Sequence, residues 1–223
     1  MNDAVPIPRE AAEALKQAST GAVNDALALL GFNGGITGVR PSRGSEGYAV
    51  LGRAATVRFG APRPDSPGLN MYQAIRATPA GSVLVIDGKG LDAHFTGDNQ
   101  CACAKRQGLA AVVVYGGARD LTGWRAMEMP LYCTGSATVD KPPDIRIVGY
   151  NVPVEVAGVT VRPGDVVVAD EDGVVCIPAE ALAATLEKLR VIFAVEEAME
   201  KAIATGAPLE EIKAILARKK PQK

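Results

Sequence analysis

The chain has 223 residues, with 24 Lys and Arg against 25 Asp and Glu and a net charge of −1. That length suits one α/β domain rather than two, and the even charge, with no strongly basic segment before the tail, argues against a nucleic-acid footprint and for a small-molecule or protein partner. Hydrophobic residues make up 48% of the chain and aromatics only 4%, so the interior is expected to be Ala, Val, Leu and Ile, as in closely packed parallel strands and helices.

In chain order, Pro8 to Ala18 reads as a helix with Ala11, Ala12 and Leu15 on one side. A second helix starts near Thr20 and carries Val23, Ala26, Leu27 and Leu30 before Gly31. Asn24 and Asp25 lie near its start, where an acid complements the helix dipole. After the loop Gly34 to Gly38, alternation over Ala54 to Phe59 marks a strand. A Pro- and Gly-rich surface loop from Ala61 to Gly68 leads to a helix around Asn70 to Ala77. Ser82 to Asp87 is a continuous apolar run bounded by turn residues, and so is Leu109 to Tyr115; both read as buried strands. Between them, a helix is entered at Gly97-Asp98, with Asp98 as the cap, and stops at Gly108. The three form a parallel βαβ unit.

Leu131-Tyr132-Cys133 is a short strand after Pro130. From Ile145 to Ile177 short apolar runs alternate with the turn signals Ala157-Gly158, Pro163-Gly164-Asp165 and Glu171-Asp172-Gly173, the texture of antiparallel hairpins. Ala179 to Thr205 is one long helix or a broken pair, with Leu182, Leu186, Leu189, Phe193, Met199 and Ile203 near helical spacing and Gly206 as the stop. Arg218 to Lys223 reads as a frayed basic tail. With no linker in evidence, residues 1–223 are expected to form one domain with a C-terminal helical arm from about 179 onward. No stretch has the apolar length of a membrane span, and the first residues lack the basic start and apolar centre of a signal peptide, so a cytoplasmic location is expected. Cys101 and Cys103 face away from each other on their helix, and the chain has a single histidine, which disfavours a zinc cluster; Cys133 and Cys176 read as small buried residues.

A right-handed βαβ crossover brings the carboxyl ends of both strands and the start of the helix to one rim of the sheet, where α/β proteins bind ligands. That rim carries the loop Gly88 to Thr96, the helix start at Asp98 and the pair Arg119-Asp120. Free N–H groups after Gly97 suit an anion, and Arg119 suits a carboxylate. Asp120 is a hard oxygen ligand for Mg²⁺ or Mn²⁺, with Asp98 a second carboxylate across the cleft. Lys89, between two glycines in the rim loop, reads as exposed, which disfavours a Schiff-base route. His94 in the same loop could orient a distal substrate group, but a lone loop histidine is more often solvated.

The run Gly97-Asp98-x-x-Cys101-Ala-x-Ala-Lys-x-x-Gly-Leu-Ala-Ala-Val-Val-Val-x-Gly-Gly-Ala-Arg119-Asp120 resembles the signature of the class II 4-hydroxy-4-methyl-2-oxoglutarate / 4-carboxy-4-hydroxy-2-oxoadipate aldolases, a family that includes the regulator of RNase E activity A. Four further blocks, beginning at Thr20, Gly52, Pro79 and Val161, resemble the family's others in the same order, so the likeness covers nearly the whole chain. It implies a single-domain α-β-β-α sandwich of the RraA-like, swivelling type. It also implies a metal-dependent lyase that releases pyruvate from a 4-hydroxy-2-oxo acid and decarboxylates oxaloacetate through the same enolate. Asp120 would hold the Mg²⁺ or Mn²⁺ ion, Arg119 would steady the carboxylate or developing oxyanion, and the helix start through Gly97, Asp98, Asn99, Gln100 and Cys101 would bind the carboxylate. Metal-bound water, aided by Asp98 or a glutamate from a neighbouring subunit, would take the proton of the 4-hydroxyl. Glu196 or Glu197, with Glu197 preferred, matches that glutamate, because the family forms trimers or pairs of trimers with sites between subunits. A non-catalytic role, binding and regulating a partner such as RNase E, is the alternative. Two departures bear on the substrate. The family continues Arg-Asp-x-x-Glu/Asp, but this chain has Gly123, and Asn99-Gln100 stand where the family has leucines.

Overall fold

In the computed structural model, which describes residues 5–219, the chain opens with two helices, α1 (Arg9–Gln17) and α2 (Thr20–Leu29). The Ser19 hydroxyl caps α2 by accepting the Ala22 N–H at 3.1 Å. Two short strands follow, β1 (Gly35–Ile36) and β2 (Arg40–Pro41), then the long strand β3 (Val50–Gly60). Helix α3 (Met71–Ala77) starts in a capping box between Asn70 and Gln73. The expected βαβ unit is β4 (Val83–Asp87), α4 (Asp98–Gln107) and β6 (Ala111–Ala118), with a three-residue strand β5 (His94–Thr96) inside its connection. Next come α5 (Leu121–Ala126), β7 (Leu131–Ser136) and β8 (Arg146–Tyr150). Two hairpins follow, β9 (Val154–Val156) with β10 (Val159–Val161) and β11 (Val166–Asp170) with β12 (Gly173–Ile177). A 3-10 turn (Ala179–Ala181) leads into one unbroken helix α6 (Leu182–Ala204), then α7 (Leu209–Ala217).

Strand order is β1-β12-β11-β3-β4-β6-β7-β2, with β5 against β6 and β8 against β3. β3 serves both halves. Its first residues, Val50 to Arg53, pair antiparallel with β11, and Ala54 to Arg58 pair parallel with β4. The two halves face each other across a core that contains Val50, Val83, Val85, Val113, Tyr132, Val167 and Cys176. A second core lies between the parallel half and α3, α4 and α5, through Phe59, Ile75, Ile86, Cys101, Val114 and Trp124. A third packs α1, α2 and α6 on β11 and β12, through Leu15, Leu27, Val166, Ile177 and Leu189. The result is the α-β-β-α layering implied by the resemblance, with antiparallel hairpins and a long C-terminal helix.

Several elements differ from the reading of the sequence. Asp98 is the first residue of α4, not its cap; Gly97 takes that place. β5 and α5 are too short to show a period, and the C-terminal arm expected from about residue 179 is two helices, α7 following α6 beyond Gly206. α7 closes a small separate core with the end of α6, through Val195, Ala202 and Ile215. Lys219 is not frayed, since its Nζ lies 3.3 Å from Asp25 and 3.5 Å from Glu196. The remainder of the basic tail and the first four residues lie outside the described residues. No helix among the described residues is long and apolar enough to cross a membrane.

One carboxylate joins the helical layer to the sheet. Asp170, at the end of β11, accepts the Thr20 N–H and hydroxyl at 2.7 Å each and the Asp172 N–H at 2.9 Å. Asp170→Ala leaves three donors without their charged acceptor, so a loss of about 1.5–3 kcal/mol is expected in urea unfolding. The exposed change Asp65→Ala should stay within about 0.5 kcal/mol.

Candidate active site

At the carboxyl rim of β4 and β6 the structure forms a cleft of about 220 Å³. Its walls include Gly97, Asp98, Asn99, Gln100, Arg119 and Asp120, together with Tyr72, His94, Thr96, Asp140 and Lys141. The crossover brings the first six together, as the position of the helix start predicts.

The end of β6 fixes Arg119, whose N–H donates to Thr96 O at 3.0 Å. The chain then turns sharply. Asp120 has φ 57 and ψ 38, a left-handed conformation that aspartate tolerates better than most side chains. Its carbonyl starts α5 by accepting the N–H groups of Gly123 at 2.9 Å and Trp124 at 3.3 Å. Its carboxylate faces back toward α4, so that a Cβ on Gly97 would lie 2.7 Å from Oδ2. Arg119 Nε is 3.2 Å from the same oxygen. Both side chains are about half-exposed, so this pair contributes at most about 1 kcal/mol to folding and is free to serve a ligand.

At the start of α4, the Gln100 and Cys101 N–H groups donate to Gly97 O at 3.1 and 3.0 Å, and the Asn99 N–H donates to Asp98 Oδ1 at 2.7 Å. These donors are therefore engaged already, and an anion binding here has to displace or share them. Cys101 itself is buried in the core rather than in the cleft wall, and burial pushes its thiol up to about 12. Glu197 does not line the cleft; it is exposed on α6, a helix that packs on α1, α2 and α7.

Lys89 is half-exposed, and its Nζ and N–H both go to the buried carboxylate of Asp87, at 2.6 and 3.0 Å, which ties it into the turn after β4. Trp124 belongs to the core and not to the cleft. Asp140 and Lys141 escaped the sequence reading, which places His94 in the rim loop but mainly as a solvated residue. His94 is only 8% exposed because β5 draws it into the sheet beside Gly117. Asp140 and Lys141 follow β7, another parallel strand whose carboxyl end reaches the same rim. Reading β7 as ending at Cys133 hid them. Burial raises the Asp140 carboxyl pKa, but the Lys141 charge and hydrogen bonds outweigh that, helped by His94, and hold it below the usual range.

Among the described residues no three His, Cys, Asp or Glu side chains gather around one point. An all-protein metal cage is thus absent from them. The hard carboxylates Asp98 and Asp120 do suit an ion such as Mg²⁺, which commonly keeps much of its water and takes one or two carboxylates.

Gly123 has a steric reason. A Cβ there would lie 2.7 Å from Asp98 Cβ and 3.4 Å from Asp98 Oδ2. Asp98 thus occupies the space into which a side chain at 123 would project.

Layering and rim cleft define an α/β protein with a candidate site at the rim of a βαβ crossover. A family model described as RraA-like (Aldolase/RraA) matches residues 20–176, and the chain belongs to that family. It is similar to Protein DlpA of Legionella pneumophila, at 33% identity over 85% of this chain and 31% of that one. It is also similar to the 4-hydroxy-4-methyl-2-oxoglutarate aldolase of Thermus thermophilus, at 39% identity over 44% of this chain and 60% of that one. The chain therefore spans less than a third of DlpA and three fifths of the Thermus protein. Among solved structures it resembles Streptomyces coelicolor RraAS2, described as an unusual member of the RNase ES inhibitor RraA protein family. That likeness has a TM-score of 0.75 and 28% identity, over 88% of this chain and 96% of that one.

The contact between Gly123 and Asp98 is testable by stability. Gly123→Ala should cost about 1–3 kcal/mol in urea unfolding, the range for overpacking a tight site. Gly135→Ala, which meets nothing within 4 Å, should change stability by no more than about 0.5 kcal/mol.

Proposed function

We propose that the chain is a divalent-metal-dependent lyase that cleaves the C3–C4 bond of a 4-hydroxy-2-oxo acid to pyruvate and a carbonyl product, with oxaloacetate decarboxylation as a side activity. The observation that carries this reading is the meeting of Asp98, Arg119 and Asp120 around one rim cleft, in a chain similar to a 4-hydroxy-4-methyl-2-oxoglutarate aldolase. Arg119 grips the substrate carboxylate, since a guanidinium offers it two parallel hydrogen bonds. Asp120 holds Mg²⁺ or Mn²⁺, which when bound draws electron density from the 2-oxo group. The start of α4, from Gly97 to Cys101, orients the carboxylate by its backbone, while Asn99 and Gln100 offer polar side chains to the distal part of the substrate. Asp98 aids the proton transfer of the cleavage as a carboxylate beside the reacting atoms. In this reading the chain works as a homotrimer or homohexamer, and Glu197 of a neighbouring copy closes the site.

A second reading, a non-catalytic protein that binds and regulates a partner such as RNase E, is favoured by the likeness to RraAS2. Turnover separates the two. Pyruvate release is expected from oxaloacetate and from 4-hydroxy-4-methyl-2-oxoglutarate, dependent on Mg²⁺ or Mn²⁺ and abolished by chelator. Asp120→Ala should reduce it by more than about 100-fold, beyond what loss of an outer partner of a metal costs. A folded wild-type protein that releases no pyruvate from either compound would overturn the lyase reading in favour of the binding one.

A further inference from the structure

His94 is the chain's one histidine. Its backbone N–H donates to Val139 O at 2.8 Å, and its ring Nδ1 lies 2.8 Å from the same oxygen. A carbonyl oxygen can only accept, so Nδ1 carries the hydrogen and the neutral ring has its lone pair on Nε2. Nε2 in turn lies 3.6 Å from Asp140 Oδ1, too far for a hydrogen bond but close enough to stabilise a positive ring. His94 lines the cleft together with Asp98, Arg119, Asp120 and Lys141. A buried imidazole with one nitrogen tied to the backbone and the other free beside a carboxylate is the arrangement of a proton acceptor, for which the reading above has no assigned use.

We infer that His94 Nε2 is the base that takes the proton of the substrate's 4-hydroxyl. This rests on the lyase reading. As the O–H bond breaks, its electron pair forms the new C4 carbonyl, and the C3–C4 pair passes to C3 as the pyruvate enolate. The proton stays on Nε2, where Asp140 faces the charged ring, and leaves to solvent as the carbonyl product departs; C3 of the enolate takes its proton from solvent water. Imidazole is ordinarily about two units more basic than a carboxylate, so it suits this step better than Asp98 or Asp120. Decarboxylation of oxaloacetate reaches the same enolate without a hydroxyl proton to remove. His94 is therefore needed for one activity and not for the other.

The test exploits that difference. His94→Asn can keep a donor toward Val139 O but supplies no base, and His94→Gln serves as a second variant, each checked for folding by circular dichroism. In both, kcat for 4-hydroxy-4-methyl-2-oxoglutarate cleavage should fall by about 100-fold or more, with oxaloacetate decarboxylation kept within about threefold of wild type. Nitrogen-15 spectra of the single imidazole should show the Nδ1-protonated tautomer. Equal loss of both activities would mean that His94 only holds β5 in place, and retention of both would mean that another group is the base. Either result overturns the inference, as does an Nε2-protonated ring. A wild type without either activity would instead overturn the lyase reading, and this role with it.

Discussion

All five residues of β4 are buried, and the strand is held parallel to β3 on one side and to β6 on the other through five residue pairs each. Parallel neighbours cannot be joined by a tight turn, so the chain must leave β4 at its carboxyl end, cross a face of the sheet as α4 and return to the far end of β6. Two-sided burial fixes the register as well, because a slip by one residue would exchange the side chains facing the two cores. The six cleft residues from Gly97 to Gln100, Arg119 and Asp120 follow from that crossover. The start of α4 and the exit of β6 have to share a rim, and Gly97 and Asp120 meet there with room for no side chain between them.

The same rim shows how closely spaced the elements must be for polar groups to converge. β5 is only three residues long, yet it fills the gap between β6 and the segment after β7, contacting Gly117 through the sheet and Asp140 through an isolated bridge. That wedge turns a surface loop into a wall. It also converts a histidine that would be solvated on a free loop into one that is buried and held at two atoms.

How much of this could be read from the residues depended on period and length. β4 and β6 were legible because an unbroken apolar run between turn residues has few alternatives, and α4 because Gly108 stops it in a left-handed conformation with φ 77. The hairpins were legible from their turns. β5 and α5 were not, because three to six residues carry no period, and α5 contains Gly123. α7 falls inside the expected helical arm, and Leu209, Ile212, Ile215 and Leu216 recur there at helical spacing. Of the cleft, Gly97 to Gln100, Arg119 and Asp120 were legible from the crossover rule. Cys101 was placed in the right turn of helix but faces the core, since the period of α4 turns that position inward. The absence of an acid at 123 was visible in the sequence, but its cause was not, because only the packing of α5 on α4 puts that position against Asp98.

Charge in the cleft bears on the order in which ligands can enter. Three carboxylates, Asp98, Asp120 and Asp140, face two cations, Arg119 and Lys141, and each cation lies beside the acid adjacent to it in sequence. A dianionic oxo acid approaching such a wall alone meets excess negative charge, and the two cations cannot turn to it without giving up their neighbours. In the proposed lyase, a divalent ion held by Asp120 would reverse the sign of the cleft and would compete with Arg119 for that carboxylate, leaving the guanidinium for the substrate. In that reading the adjacency of Arg119 and Asp120 would couple the two binding events, because an ion taken up by the aspartate would free the arginine for the substrate.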